Sequence, residues 1–133
     1  MKDKIAFAKG WLAKAESDLK TLKALLNSDG QYDTACFHAQ QAVEKYLKAF
    51  LAFHEKKIPK IHDLDELQRL CLQITNVEGL QKLDLSEITD FAVEMRYDLE
   101  FWPELDAAND ALKIAEKVKR IIFDNLPHKC HPS

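Results

Sequence analysis

Glycine and proline are scarce in this chain, with three of one and four of the other among 133 residues. Strand-to-strand turns draw heavily on both, so a sheet-rich fold has little to build its turns from. Cysteine is sparse as well. Cys36, Cys71 and Cys130 are odd in number and widely spaced, with no zinc-type pair among them. Neither a disulfide framework nor a metal site is written in that pattern. Long apolar runs are missing: no stretch of about 20 residues could span a bilayer. The opening MKDKIAFAKGWLAKAESDLK carries a charge every few residues, unlike a secretory leader. These absences lead to the expectation of reduced thiols in a cytoplasmic protein with no membrane association. An excess of positive charge is lacking too. With 22 acidic and 19 basic residues the net charge is −3, which excludes a whole-surface polybasic nucleic-acid binder but leaves room for a local basic groove.

The chain is rich instead in Ala, Leu, Lys and Glu, the better helix formers. Hydrophobic residues make up 47%, enough for a core. A domain of this length buries roughly 68% of its unfolded surface. Apolar residues spaced by three and four mark the helices. Ala8, Trp11, Leu12, Ala15, Leu19, Leu22 and Leu26 share one face of a helix from about Lys4 to Leu26. NSDG is its stop, with Gly30 free to take a positive φ. Asp33 is the expected cap of a second helix that runs through Ala39, Val43, Leu47 and Leu51 to Lys56 and Lys57, before Pro59 forbids continuation. Asp63 is the cap expected for a short third helix, and Ser86 for EITDFAVEMRYD. LEFWPELD reads as a loop around Pro103, and the last helix runs from Glu104 or Asp106 to Asn125. Glu16–Lys20 and Glu116–Arg120 are expected surface pairs four residues apart. The fold class is therefore all-α, an up-and-down bundle of four or five helices. Residues 1–125 are expected to form a single domain and 126–133 a flexible tail.

The stretches YDTACFHAQQAVEKYLKAFL, IPKIHDLDEL, ITDFAVEMRYD and DAANDALKIAEKV occur in that order and at family-like spacing. Together they resemble the HEPN domain (higher eukaryote and prokaryote nucleotide-binding), with FHAQQAVEK and HDL the most specific pieces. The resemblance implies a helical bundle that commonly forms homodimers. It also implies a small prokaryotic protein often paired with a minimal nucleotidyltransferase in a two-gene, toxin–antitoxin-like system. Many members are ribonucleases that use an arginine followed by a histidine four to six residues further on. This chain departs from that motif. The positions after Arg96 hold Phe101, Trp102 and Pro103, those after Arg69 hold Ile74, Thr75 and Asn76, and His128 lies too far from Arg120.

Metal-independent RNA cleavage needs a base for the ribose 2′-hydroxyl and a cation for the phosphate. Arg96 can supply the second role and not the first. Arg96, Tyr97 and Asp98 form one candidate ligand-binding group, where the guanidinium suits a phosphate, Tyr97 could stack on a base and Asp98 could orient Arg96. The bland alternative is a surface arginine near a helix C-terminus. His38 and Lys45, with Gln41 and Glu44, share a polar flank of the second helix. They could face Arg96 across a cleft, or His38 could be satisfied by a neighbouring helix. His62 and Asp63 read first as a helix start. HKCHP in the tail does not make a closed metal site, and Phe101 and Trp102 are either folded back or a partner contact.

Three functions compete. One is a nucleotide- or RNA-binding partner subunit of a minimal nucleotidyltransferase, without cofactor. Another is a diverged ribonuclease using Arg96 with a substitute base such as His38. The third is a purely structural dimerisation bundle.

Overall fold

The computed structural model describes residues 3–28 and 30–132, so Met1, Lys2, Asp29 of the NSDG stop and Ser133 of the tail lie outside the described residues. It is all-helical among those residues. The elements are α1 (Lys4–Leu26), α2 (Tyr32–Phe53), α3 (Leu64–Ile74), α4 (Ser86–Thr89), α5 (Phe91–Tyr97) and α6 (Leu105–Asp124), with 3-10 turns at Leu80–Lys82 and His128–Cys130.

The bundle is organised around α2, which packs against α1, α3, α5 and α6. Its sequence explains this position: apolar residues and alanines occupy nearly every side, so it presents no single solvent stripe. Tyr46, Phe50, Leu47 and Leu51 are fully enclosed, against Leu12 and Leu22 of α1 and Ile122 of α6. Burying each large aliphatic side chain contributes roughly 1.5–3 kcal/mol.

Side-chain caps set the start of two helices. Asp3 accepts from Ile5 N at 2.9 Å, and Asp63 accepts from Asp65 N at 3.0 Å. Gly30 adopts φ +85° in the turn after α1, although the helix itself closes earlier, at Asn27. Other ends depart from expectation. Asp33 is no cap, because α2 starts one residue before it; Gln31 is the cap, and Asp33 acts through its charge in the first turn. The C-terminus of α2 comes at Phe53 rather than at the lysines. Lys56 N donates to Leu51 O and Glu55 N to Ala52 O, a Schellman closure with Glu55 at φ +58°. Ser86 does not cap with its side chain; Asp84 accepts from both Ser86 N and Ser86 Oγ. The helix expected after Ser86 divides at Asp90. There Thr89 turns its hydroxyl to accept from Leu64 N at 2.7 Å, which ties the division to the start of α3.

The tail, expected to fray, is packed from Leu126 to Cys130. Both of those side chains are buried, the His128–Cys130 turn lies on α1, and His131 Nε2 sits 3.0 Å from the carbonyl of Phe123. Apolar burial outweighs the usual fraying of a chain end here. The expected pairs within helices are replaced by pairs between them. Glu16 takes Lys119 of α6 at 3.0 Å, and Glu116 takes Lys23 of α1 at 3.3 Å. Among the described residues no helix is long and apolar enough to cross a membrane.

Candidate functional site

His38 and Lys45 are two turns apart on α2, so both project from one side of it. Asp18 of α1 meets both. Its Oδ1 lies 2.9 Å from His38 Nδ1, and Lys45 Nζ donates to its Oδ2 at 2.5 Å. The Asp18 side chain is nearly enclosed, and burying a carboxylate is tolerable only with partners of this kind. A carboxylate at Nδ1 favours the tautomer protonated there and leaves Nε2 as the basic nitrogen. Sequence reasoning missed Asp18. The signal was its place on the apolar stripe of α1, three residues after Ala15 and four before Leu22.

Arg96, Tyr97 and Asp98 stand at the C-terminal end of α5. The Arg96 guanidinium is exposed and lies over the Phe37 ring, 5.5 Å from its centre. That ring in turn meets His38 edge-on, with centroids 5.4 Å apart. Phe37 therefore links the two halves of the predicted site. Asp98 serves the local turn by accepting from Glu100 N at 3.0 Å, and among the described residues it makes no salt bridge with Arg96.

The surroundings of Arg96 are acidic. Between residues 84 and 110 nine carboxylates face one base, Arg96 itself. Titration reflects this field. Glu94 is raised above the ordinary carboxyl range by burial and then by Asp90, Asp98 and Glu87. Asp65 is raised by burial and then by Asp63, Asp84 and Asp90. The Cys36 thiol is pushed up to about 12 by burial, with Asp33, Glu87 and Glu94 adding to it. Arg96 is the one base in a carboxylate-rich stretch, an unfavourable setting for a free anion.

The same region is apolar at its exposed tips. Five of the six large hydrophobic side chains left exposed among the described residues are Val93, Tyr97, Leu99, Trp102 and Leu105. Tyr97 is 76%, Leu99 86% and Trp102 73% accessible. Phe101 behaves differently and folds back onto Phe91, ring centroids 5.7 Å apart. Leu126 and Cys130 show that this chain covers apolar surface where it can. Exposed apolar side chains gathered in one short stretch among carboxylates have the composition of a docking face.

Glu44 belongs to a separate network on the far flank of α2. It is buried and receives Lys48 Nζ at 3.0 Å, Gln40 Nε2 at 3.2 Å and His62 Nδ1 at 2.8 Å. Gln40 also donates to the carbonyl of His62 at 3.0 Å. The polar flank expected along α2 is thus two flanks, one turned to α1 and one clamping the connection before α3. Every buried side-chain polar atom described has a partner. No group of three or more His, Cys, Asp or Glu residues among them is arranged to hold a metal ion.

The all-helical fold agrees with comparison to known proteins. The HEPN domain family model matches residues 8–126. The chain is 29% identical to a protein of Methanocaldococcus jannaschii named "Putative toxin MJ1304", over 94% of this chain and 91% of the relative. No solved structure matches the chain.

Proposed function

The chain belongs to the HEPN domain family, and on that premise we propose that it is the toxin-like subunit of a two-gene system, docking a minimal nucleotidyltransferase through the Trp102 face. The observation that carries this reading is the exposure of Tyr97, Leu99 and Trp102 in one short stretch among carboxylates. Apolar tips supply affinity at the centre of an interface, and the carboxylates select a basic partner surface and speed its encounter. Arg96 and Tyr97 sit on that face, where they would meet a nucleotide delivered by the partner rather than one free in solution. The relative named as a toxin supports the toxin-like part of the reading.

Co-expression with a minimal nucleotidyltransferase taken from the same genome tests this. A stoichiometric complex is expected, lost on Trp102→Ser and weakened by added salt. No complex, or one indifferent to Trp102→Ser, overturns the reading. Light scattering on the chain alone shows whether a second copy takes the face instead.

One observation favours a second reading. The Asp18–His38 pair gives His38 a basic Nε2 near the Arg96–Phe37 stack, which suits a diverged metal-independent ribonuclease. Cleavage of total RNA that both Arg96→Ala and His38→Ala abolish would establish it, and no cleavage by the wild-type chain would dismiss it.

A further inference from the structure

Positive charge gathers where the two long helices meet at their other end. Phe37, under Arg96, and Phe53 are 16 residues apart on α2, about 24 Å along its axis. Near this end three hollows neighbour one another through shared lining residues and together make a shallow trough. The first, about 480 Å³, runs over Gly10 between Lys14 and Trp11. It shares Phe7 and Trp11 with the second, about 420 Å³, which Lys4 and Lys56 flank. The second shares Lys56 with the third, about 410 Å³, which continues past Lys57 to Gln73. Four lysines and two aromatic rings therefore line these neighbouring hollows. Glu55 is the one carboxylate among the residues lining these hollows.

Two of these lysines also act on a neighbouring histidine. His54, beside the trough, is held below the ordinary histidine value by burial and then by Lys4 and Lys56. Lysines also lie over rings here: Lys48 Nζ is 5.6 Å from the Trp11 ring centre, and Lys4 Nζ is 4.7 Å from that of Phe53.

We infer that this trough binds single-stranded nucleic acid, with Lys4, Lys14, Lys56 and Lys57 following the phosphates and a base stacking on Trp11. Single-strand sites combine those two features, a cationic groove for the backbone and aromatic faces for bases of any sequence. A duplex hides its base faces and fits the aromatic floor poorly. The acidic Trp102 face repels phosphate, so nucleic acid and protein are assigned to separate surfaces of the bundle. Loss of one activity is separable from loss of the other.

Fluorescence anisotropy with a labelled 12-nucleotide single strand, as RNA and as DNA, tests the inference at low salt. Binding is expected to weaken as salt rises. The double variant Lys56→Glu, Lys57→Glu should weaken it at least tenfold, and Glu55→Gln should tighten it. In a Trp102→Phe background the remaining Trp11 emission should be quenched on binding. All three charge variants lie on exposed positions, and circular dichroism checks that they fold. Comparing RNA with DNA identifies the strand preferred. Several results would overturn the inference: no binding by either strand, equal binding of a 12-base-pair duplex or of polyglutamate, binding only to anionic vesicles, or binding that Arg96→Ala abolishes and the lysine variants do not.

Discussion

Asp18 and His38 are joined across the α1–α2 interface, Oδ1 to Nδ1 at 2.9 Å, with Lys45 closing the other carboxylate oxygen. The pair fixes the rotation of one long helix against the other. Asp18→Asn removes the charge that both partners were folded around. The expected loss is roughly 2 kcal/mol, below the 3–5 typical of a fully buried pair because His38 and Lys45 keep some solvent. Urea denaturation measures it. If Nε2 of His38 also acts as a base, the same substitution lowers RNA cleavage while leaving RNA binding intact.

Glu44 and Lys48 are enclosed more completely. Glu44→Ala leaves a buried ammonium and an unclamped His62, and should cost about 3–5 kcal/mol. Replacing both charges, as Glu44→Leu with Lys48→Met, should cost much less than the single change. The shape is kept and no unpaired charge remains. A double-mutant cycle in urea reads the difference, and a double variant as unstable as Glu44→Ala would refute this account of the network.

Glu55 holds a left-handed backbone at φ +58° to close α2. That conformation costs an L-residue with a Cβ roughly 1–2 kcal/mol. Glu55→Gly should therefore raise stability by about 1 kcal/mol, or roughly 3–5 °C in Tm for a domain of this size. A lower Tm would mean that Glu55 makes a contribution beyond its backbone.

His54 gives the fold an acid sensitivity. Its folded value lies below the ordinary one, so the folded state resists protonation more than the unfolded chain does. The contribution is complete above about pH 6.5, the unfolded value, and is lost as pH falls below it toward the folded one. Stability measured between pH 7.5 and 5.5 should drop, and His54→Gln should flatten that part of the profile. A slope unchanged by the substitution would place the sensitivity in another group.

Much of the bundle is legible without coordinates. The apolar stripe of α1 begins and ends where its spacing says, and Asp63 caps α3 as its residue type and position require. These are local matters, decided within a turn or two of the residue concerned. The predicted site was legible only in pieces. His38 and Lys45 both meet Asp18, 20 and 27 residues away in the chain, and Arg96 meets the phenyl ring of Phe37 instead of Asp98.

The sequence alone determined the helices, their main limits and the family, because a 3.6-residue period and a capping side chain are properties of short stretches. Tertiary structure alone decided which charges meet, as in Glu16 with Lys119 and Glu116 with Lys23. It also decided which apolar groups stay bare, Trp102 against Phe101, and whether the tail packs. Those outcomes depend on how far each helix is rotated and shifted against its neighbours. That rotation is set by the whole core at once, not by any stretch of it.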